Sequence, residues 1–227
     1  MDGMSLKDAK YYEAVAPRSA AEKLLVTARD RIYADFIREM RPAPTDRILD
    51  VGISDVLNDS ANVLERKYPY PEQITACGLG DAFEFQVEFP AVRYVRIEPN
   101  ARLPFRMREF DIATANAVLE HVGSPENQAF FVSELCRVAK RVFISVPHRY
   151  FPVEHHTALP LVHYFERTFQ RACAMTGKAE WTRPENLILM SRRRLRELVP
   201  NRTRKVSVGY TGLRLGPLSS NLFLAAS

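Results

Sequence analysis

The ends of three predicted strands carry polar residues suited to hydrogen-bonding a ligand. The first end reads Asp50-Val51-Gly52-Ile53-Ser54, the second Gly78-Leu79-Gly80-Asp81 and the third Glu98-Pro99-Asn100. Ligands of open α/β sheets bind beyond the carboxyl ends of the strands, so we expect these groups to meet at one edge of a sheet. Gly52 lets a ligand approach the backbone closely, and the Ser54 hydroxyl can form a hydrogen bond with it.

The side chains at the second and third ends suggest which parts of a ligand they could bind. Asp81 offers a carboxylate that can accept both hydrogen bonds of a ribose diol. Glu98 or Asn100 could accept a hydrogen bond from an adenine amino group. Taken singly, each acid is also typical of a solvated loop, and Gly52 of a plain turn. The phosphate-binding patterns GxGxxG and GxxxxGK[ST] do not occur in the sequence.

Four of the five histidines lie between residues 147 and 163, after the fifth predicted strand: His148, His155, His156 and His163. Histidine can accept a proton near neutral pH, so this segment could supply a general base. We favour His155 or His156, with His148 as a third candidate, because the adjacent Glu154 and two nearby prolines indicate a restrained loop. A structural role is the alternative for each. No metal site is expected from Glu154 and these histidines, because adjacent residues of an extended segment point to opposite faces.

Alternating helices and strands must position these residues. A helix is predicted over 19–40, opened by a capping box of Ser19 and Glu22. Apolar runs typical of strands occupy 47–52, 73–80, 92–97, 110–115, 141–146, 206–210 and 221–226. Further helices are predicted over 60–68, after Ser124-Pro125, near 164–176 and after Ser191.

These elements predict an α/β fold with a Rossmann-like, seven-stranded, mostly parallel sheet and helices on both faces. Most of the strands are apolar throughout, as in a parallel sheet that is covered on both sides. The connection 211–220 is too short for a helical crossover, so the last strand is expected to be antiparallel to its neighbour.

The composition is that of a globular protein with a sizeable core. Of 227 residues, 46% are hydrophobic and 26% charged, and the net charge is +5. No stretch is long and apolar enough for a membrane span, and the first residues lack the apolar core of a signal peptide. Three cysteines without paired spacing argue against a disulfide framework and a zinc site. A cytoplasmic protein is expected.

Several runs together resemble the successive motifs of class I S-adenosylmethionine-dependent methyltransferases. The resemblance is carried by DRILDVG, ARLPF, FDIATANAVLEHV and RVFISVP, and it covers about residues 45–150. The LPF, FD and VLEHV elements are most like the type 11-like subgroup that includes small-molecule methyltransferases. The segment 151–164 is similar to one found in bacterial members of unassigned substrate.

The resemblance implies S-adenosylmethionine as cofactor and a single domain over residues 1–227. Residues 1–44 would form a helical segment that covers the site, and 147–190 an insertion on the acceptor side. The implied cofactor-binding residues are Asp50, Gly52, Ser54, Asp81, Glu98, Asn100 and Asn116. His121 of the VLEHV run is expected to pack near the amino-acid end of the cofactor or to cap a turn.

The sequence departs from the family at the first two motifs. The pattern DxGxGxG keeps only Gly52, with Ser54 and Val56 at the later glycine positions. The acidic residue that the family carries at the end of the second strand would fall near Gly78. Asp81, a few positions later, is therefore assigned its role. Replacing Gly52 by valine is expected to block the cofactor without unfolding the chain.

Three functions remain open at this point. The first is methyl transfer to an oxygen or nitrogen of a small molecule, or of a glycan or lipid intermediate. The second is an RNA-directed methyltransferase or binding protein, suggested by the basic runs 191–196 and 201–205. These runs also fit a solvated helix face, so nucleic acid is not the favoured partner. The third is a binding protein that keeps the fold without catalysis, suggested by the glycine-poor loop.

Overall fold

A computed structural model describes residues 20–55, 61–201, 203 and 205–227, with only the backbone described for 20–22. In these residues a seven-stranded sheet has the order β3-β2-β1-β4-β5-β7-β6. The strands are β1 (Ile48–Val51), β2 (Ile74–Gly78), β3 (Arg93–Arg96), β4 (Phe110–Asn116), β5 (Ala139–Pro147), β6 (Val206–Leu215) and β7 (Leu218–Ala226). The first five strands pair in parallel, and β7 is antiparallel to both β5 and β6. The predicted sheet is confirmed.

Helices cover both faces of the sheet. They are α1 (Ala20–Met40), α2 (Val63–Lys67), α3 (Phe83–Glu88), α4 (Pro125–Val138), α5 (Glu166–Met175) and α6 (Arg192–Glu197). One buried cluster joins α1, α2 and α3 to the sheet, and a second joins α4 and α6 to its other face. On the first face Phe36 of α1 packs edge-on against Phe143 of β5, with ring centroids 5.6 Å apart. The strands β1, β2, β4 and β5 are mostly apolar because both of their faces are buried, whereas the edge strand β3 is partly exposed.

The helix ends follow the predicted capping chemistry where the structure describes them. Ser124 accepts a hydrogen bond from the Asn127 amide ahead of Pro125, and Ser191 caps α6 in the same way. In α1 the apolar face is buried at every fourth residue from Ala28 to Met40. Ser19 lies outside the described residues, so the predicted capping box does too.

Three predicted elements needed correction. The strands of the closing hairpin continue through residues 211–215 and 218–220, which the sequence assigned to a connection, and the turn is tight at Gly216. The helix predicted over 60–68 is shorter in the described residues, at Val63–Lys67. The short α3 was not predicted, because its phenylalanines alternate with polar residues and only Phe85 is buried.

The segment 147–190 forms a unit between β5 and α6. Its two ends lie side by side, because His148 bridges Met190 and the Arg149 amide donates to the Met190 carbonyl. A small apolar cluster of Phe169, Cys173 and Leu187 lies inside it. Both ends of this segment therefore lie at the same edge of the sheet, close to the carboxyl end of β5.

The three cysteines are free thiols. Burial raises the pKa of the Cys77 thiol to about 12, so it stays protonated at neutral pH. Among the described residues, no helix is both long and apolar enough to cross a membrane.

Candidate functional site

A cleft opens at the carboxyl ends of β1 and β4, with α1 along one side. It encloses about 620 Å³ of space counted up to its open mouth. Its walls include four of the cofactor-binding residues predicted from the sequence: Asp50, Gly52, Ser54 and Asn116. The topology brings them together because β1 and β4 are neighbours in the sheet, with Asp50 paired to Thr114. The remaining walls come from Arg29, Ile32, Tyr33 and Phe36 of α1, Ile53, Asn62, Val63 and Leu64 after β1, Thr114 of β4 and Phe143 of β5.

Gly52 holds the backbone of the first loop in a conformation that other residues rarely adopt. Its φ is +99°, and its amide donates to the Cys77 carbonyl at 2.8 Å. A Cβ atom built at this position would lie 2.2 Å from Cγ2 of Val118. The expectation that a valine at 52 would affect only the ligand is therefore wrong, because its bulk meets Val118 first.

Asn62 closes the loop that follows β1, and sequence reasoning missed it. Its side-chain oxygen accepts a hydrogen bond from the Ser54 amide at 2.9 Å, and its amide nitrogen donates to the Ser54 carbonyl at 2.7 Å. This two-way pairing holds both ends of the segment whose residues 56–60 are not described. Ser54 is buried there, and it keeps its place in a loop that lacks the later glycines of the family pattern.

A second buried carboxyl group lies beside Asp50. Glu65 of α2 is 4% exposed, and its carboxyl group is within hydrogen-bonding reach of the Asp50 side chain. Burial raises the pKa of Asp50 and raises that of Glu65 further, with the charge of Asp50 adding to the effect on Glu65. Two carboxyl groups this close cannot both ionise cheaply, so the pair retains a proton at neutral pH.

The structure places Asp81 outside the cleft walls. Its side chain is 85% exposed and pairs with Arg96 at 2.7 Å. At the end of β2 the space that a side chain at position 78 would need is taken, since a Cβ there would lie 2.8 Å from the Tyr94 hydroxyl. That hydroxyl donates to the Gly80 carbonyl at 2.6 Å. Tyr94 is thus a further residue at this edge that sequence reasoning missed.

Glu98 and Asn100 also lie outside the cleft walls, in the exposed turn after β3. Asn100 has a φ of 55°, a conformation that asparagine tolerates better than most residues. Asn116 is different, because it lines the cleft and its side-chain oxygen accepts a hydrogen bond from the Ser145 hydroxyl of β5.

The predicted histidines lie beside a second, smaller cavity. His148 and His155 line it together with Glu120, Glu154 and His163. The Nδ1 atom of His148 is 3.1 Å from the Ser219 carbonyl oxygen. Burial lowers the pKa of His155 to about 4, so its imidazole is neutral at pH 7. Neither His148, His155 nor His156 belongs to the described walls of the first cleft.

Four residues near this cavity form what we call the histidine cluster: Glu120, His121, Glu154 and His156. The Nε2 atoms of His121 and His156 are 3.1 Å apart, and Nδ1 of His156 is 2.8 Å from the Glu154 carboxylate. His121 Nδ1 is 2.6 Å from the Asn186 carbonyl oxygen. His121 thus meets His156, a contact that neither of its expected roles included.

The electrostatics of the cluster follow from its burial. Burial raises the pKa of Glu120 to about 7 and lowers that of His121 to about 3. Burial also acts to raise the pKa of Glu154, but the hydrogen bonds from His156 and Thr157 outweigh it and lower the pKa to about 2. Arg29, which lines the first cleft, acts electrostatically on both Glu120 and His155. The cleft and the cluster are therefore close enough to influence each other.

The basic run at 191–196 makes contacts within the chain. Arg192 lies over the Tyr210 ring at 4.9 Å, and the Arg194 guanidinium donates to the side chain of buried Gln128. Arg193 pairs with Glu197 at 3.5 Å. Of the second run, Arg202 and Arg204 lie outside the described residues. Arg192, Arg193 and Arg194 thus have partners within the chain that the sequence alone did not indicate.

Comparison with known proteins agrees with this geometry. A family model described as "Methyltransferase domain" matches residues 69–142. No curated protein sequence matches the chain. Among solved structures, an S-adenosylmethionine-dependent methyltransferase from Aquifex aeolicus is 15% identical, with 96% of this chain and 97% of that chain covered and a TM-score of 0.54.

Two further solved structures show the same fold. Magnesium protoporphyrin IX methyltransferase from Synechocystis PCC 6803, solved with bound S-adenosylhomocysteine, is 11% identical over 98% of this chain and 94% of its own, with a TM-score of 0.59. A methyltransferase from Thermotoga maritima, described as a possible histamine N-methyltransferase, is 13% identical over 91% and 93%, with a TM-score of 0.53.

The fold and the cleft together define a class I S-adenosylmethionine-dependent methyltransferase fold. Residues 69–142 match the methyltransferase-domain model, and the chain shares the fold of these enzymes, as the motifs in its sequence predicted. S-adenosylmethionine is the cofactor of the class, in agreement with the expectation from the sequence.

Proposed function

We propose that this protein transfers a methyl group from S-adenosylmethionine to an oxygen or nitrogen atom of a small molecule, or of a glycan or lipid intermediate. The observation that carries the proposal is the convergence of Asp50, Ser54 and Asn116 on one cleft at the carboxyl ends of β1 and β4. This is the edge of an open α/β sheet at which ligands bind.

The charges of the cleft suit this cofactor. Asp50 lies in its wall, and because the pKa of the neighbouring Glu65 is raised further, the proton that the pair retains lies on Glu65 and the negative charge on Asp50. S-adenosylmethionine carries an ammonium and a sulfonium group, and when bound it supplies an activated methyl group. Tyr33, Phe36 and Phe143 give the cleft an apolar side, which suits the less polar parts of such a molecule. Asp50 and Ser54 would hold the methionine end, while Asp81 and Glu98 or Asn100 remain our candidates for the ribose and adenine.

The chain's own contribution to the reaction is to orient the acceptor, exclude water and remove a proton. Residues of α1 form one wall of the cleft, so the N-terminal segment 1–44 would shield the transfer from solvent. The segment 147–190 would receive the acceptor. Within it His148 and His155 line the second cavity, and His155 is neutral and able to accept a proton. His156 is a weaker candidate because both of its ring nitrogens already have close partners.

Calorimetric titration with S-adenosylmethionine and S-adenosylhomocysteine tests the proposal. Both should bind, and Asp50→Asn should weaken binding about 10- to 100-fold, since a charged hydrogen bond contributes about 1.5–3 kcal/mol. Asp81→Asn should weaken it about tenfold if the carboxylate meets the ribose, whereas Arg96→Met removes only its ion-pair partner and should have little effect. Glu166→Gln, at an exposed position on α5, is the matched control.

A folded protein that binds neither ligand would contradict methyl transfer and leave the non-catalytic binding protein as the better interpretation. Equal effects of Asp81→Asn and Arg96→Met would assign Asp81 to the surface ion pair alone. Salt-sensitive RNA binding that is lost on replacing Arg193 would favour the RNA-directed alternative.

A further inference from the structure

The histidine cluster brings three metal-ligating side chains together away from the walls of the first cleft. Glu120 and His121 lie in the turn that follows β4, and His156 comes from the segment after β5. One ligand atom from each of the three lies within 4.8 Å of the others. Glu120 and His121 are consecutive, whereas His156 lies 35 positions after His121. It is therefore the fold that brings the three side chains together.

Hydrogen bonds fix which nitrogen of each ring carries the proton. The Asn186 carbonyl can only accept, so Nδ1 of His121 is its donor. Glu154 accepts from the amides of His156 and Thr157 and from the Thr157 hydroxyl, so it is an ionised acceptor and Nδ1 of His156 donates to it as well. Because Nδ1 of each ring donates a hydrogen bond, the lone pair available to a metal ion is on Nε2 in both rings.

These two lone pairs face each other across 3.1 Å. Two acceptors so close repel unless a positive centre lies near both. Two nitrogens bound tetrahedrally to one ion at about 2.0–2.1 Å would be roughly 3.3 Å apart, so the observed spacing suits a shared ion.

Glu120 supplies the third ligand and an independent indication. Its side chain is 1% exposed, and neither carboxyl oxygen has a hydrogen-bond partner in the described part of the chain. One of these oxygens lies 3.9 Å from Nε2 of His121. A proton shared by the two imidazoles would leave this carboxyl group unsatisfied, whereas an ion between the three side chains would satisfy all of them.

The surroundings hold the ligands as a metal site requires. Metal-binding histidines almost always donate their other ring N–H to a carboxylate or a backbone carbonyl, as His156 and His121 do here. Trp181 packs against His156 with ring centroids 4.8 Å apart, and the Ile188 amide donates to the Glu120 carbonyl at 2.8 Å. Both contacts limit the movement of the ligands.

We propose that Glu120, His121 and His156 bind a divalent first-row transition-metal ion. Two imidazoles and one carboxylate favour ions such as Zn²⁺, Co²⁺ or Mn²⁺ over Mg²⁺ and Ca²⁺, which prefer oxygen ligands. Three protein ligands leave a position for water or a substrate oxygen. The proposal does not depend on the proposed methyl transfer.

The test uses the full-length protein after removal of metals with a chelator. Titration with Zn²⁺ should show one site per chain, Co²⁺ should produce visible absorption bands, and Mg²⁺ should not compete. His156→Ala and Glu120→Gln should each weaken Zn²⁺ binding more than tenfold. Glu154→Gln should weaken it about 10- to 100-fold by releasing the His156 ring. His155→Ala, at the adjacent half-buried histidine, should bind Zn²⁺ like the original protein.

Folding is checked separately by thermal unfolding in the presence of the chelator. Glu120→Gln should then be at least as stable as the original protein, because it replaces an unpaired buried carboxyl group with a neutral one of the same size. Zn²⁺ should raise the melting temperature of the original protein and not that of folded Glu120→Gln. Absence of Zn²⁺ and Co²⁺ binding, or equal binding by the original protein and both ligand variants, would overturn the proposal.

Discussion

The first cleft and the histidine cluster lie next to each other but are built in different ways. The cleft is shaped mainly by backbone at strand ends, where Gly52 and the Ser54–Asn62 pairing set the course of the loop. The cluster consists of side chains from distant parts of the chain, held by hydrogen bonds between them. The cleft should therefore be sensitive to changes in backbone geometry, whereas the cluster should be sensitive to the identity of single side chains.

The largest expected effect concerns the backbone of the cleft. Gly52→Val should lower the free energy of unfolding by about 3 kcal/mol or more, because it adds backbone strain at φ +99° to overpacking against Val118. Gly80→Ala is the matched control at the same edge of the sheet, where an added Cβ meets no atom within 4 Å. Its cost should stay below about 1 kcal/mol. Urea unfolding measures both.

Similar losses for the two glycine variants would show that contact with Val118 does not limit position 52. If Gly52→Val were as stable as the original protein and lost only cofactor affinity, the original expectation from the sequence would be restored.

The next effect concerns the proton acceptor beside the cluster. His155→Ala should lower kcat about 10²-fold and leave the affinity for S-adenosylmethionine within about twofold. Because burial lowers the pKa of His155 to about 4, kcat/KM of the original protein should decline only below about pH 5. The assay follows release of S-adenosylhomocysteine, with an acceptor found by screening small molecules, glycans and lipid intermediates.

His148→Ala is the companion variant, since His148 lines the same cavity. A loss of turnover in this variant alone would move the base from His155 to His148. Full activity in both variants would mean that alignment of the acceptor is enough for transfer and that no histidine of the cavity removes the proton.

The smallest effect is a pH dependence of stability from the carboxyl pair in the cleft. The pKa values of Asp50 and Glu65 are raised in the folded state, so the unfolded chain releases these protons first as the pH rises. Stability from this pair is complete below the ordinary carboxyl values near pH 4 and is lost as the pH rises through the raised values. Glu65→Gln should reduce this loss by on the order of 1 kcal/mol between pH 5 and 8.

Urea unfolding at these two pH values checks this prediction, with Glu88→Gln as control because Glu88 is exposed and pairs with Arg66. An equally steep pH dependence in Glu65→Gln and the original protein would mean that the two carboxyl groups do not share a proton.

Much of the fold could be predicted because its signals are local. Apolar runs, Ser124 before Pro125 and the capping residue Ser191 act within a few residues, so they survive in the structure with ends shifted by only a few residues. The α3 helix could not be predicted, because its pattern alternates as in a strand, and it is held by packing of Phe85 and by the hydrogen bond from the Phe85 amide to the distant Asp55 side chain.

The same distinction applies to the sites. By itself the sequence determined the mostly parallel sheet with its antiparallel last strand, and the placement of Asp50, Gly52, Ser54 and Asn116 at strand ends, since parallel strands present their carboxyl ends at one edge. Only the tertiary structure decided that Glu65 lies beside Asp50 and that His121 meets His156. Such contacts depend on side-chain direction and on segments brought together by packing, and neither is encoded in the spacing of residues along the chain.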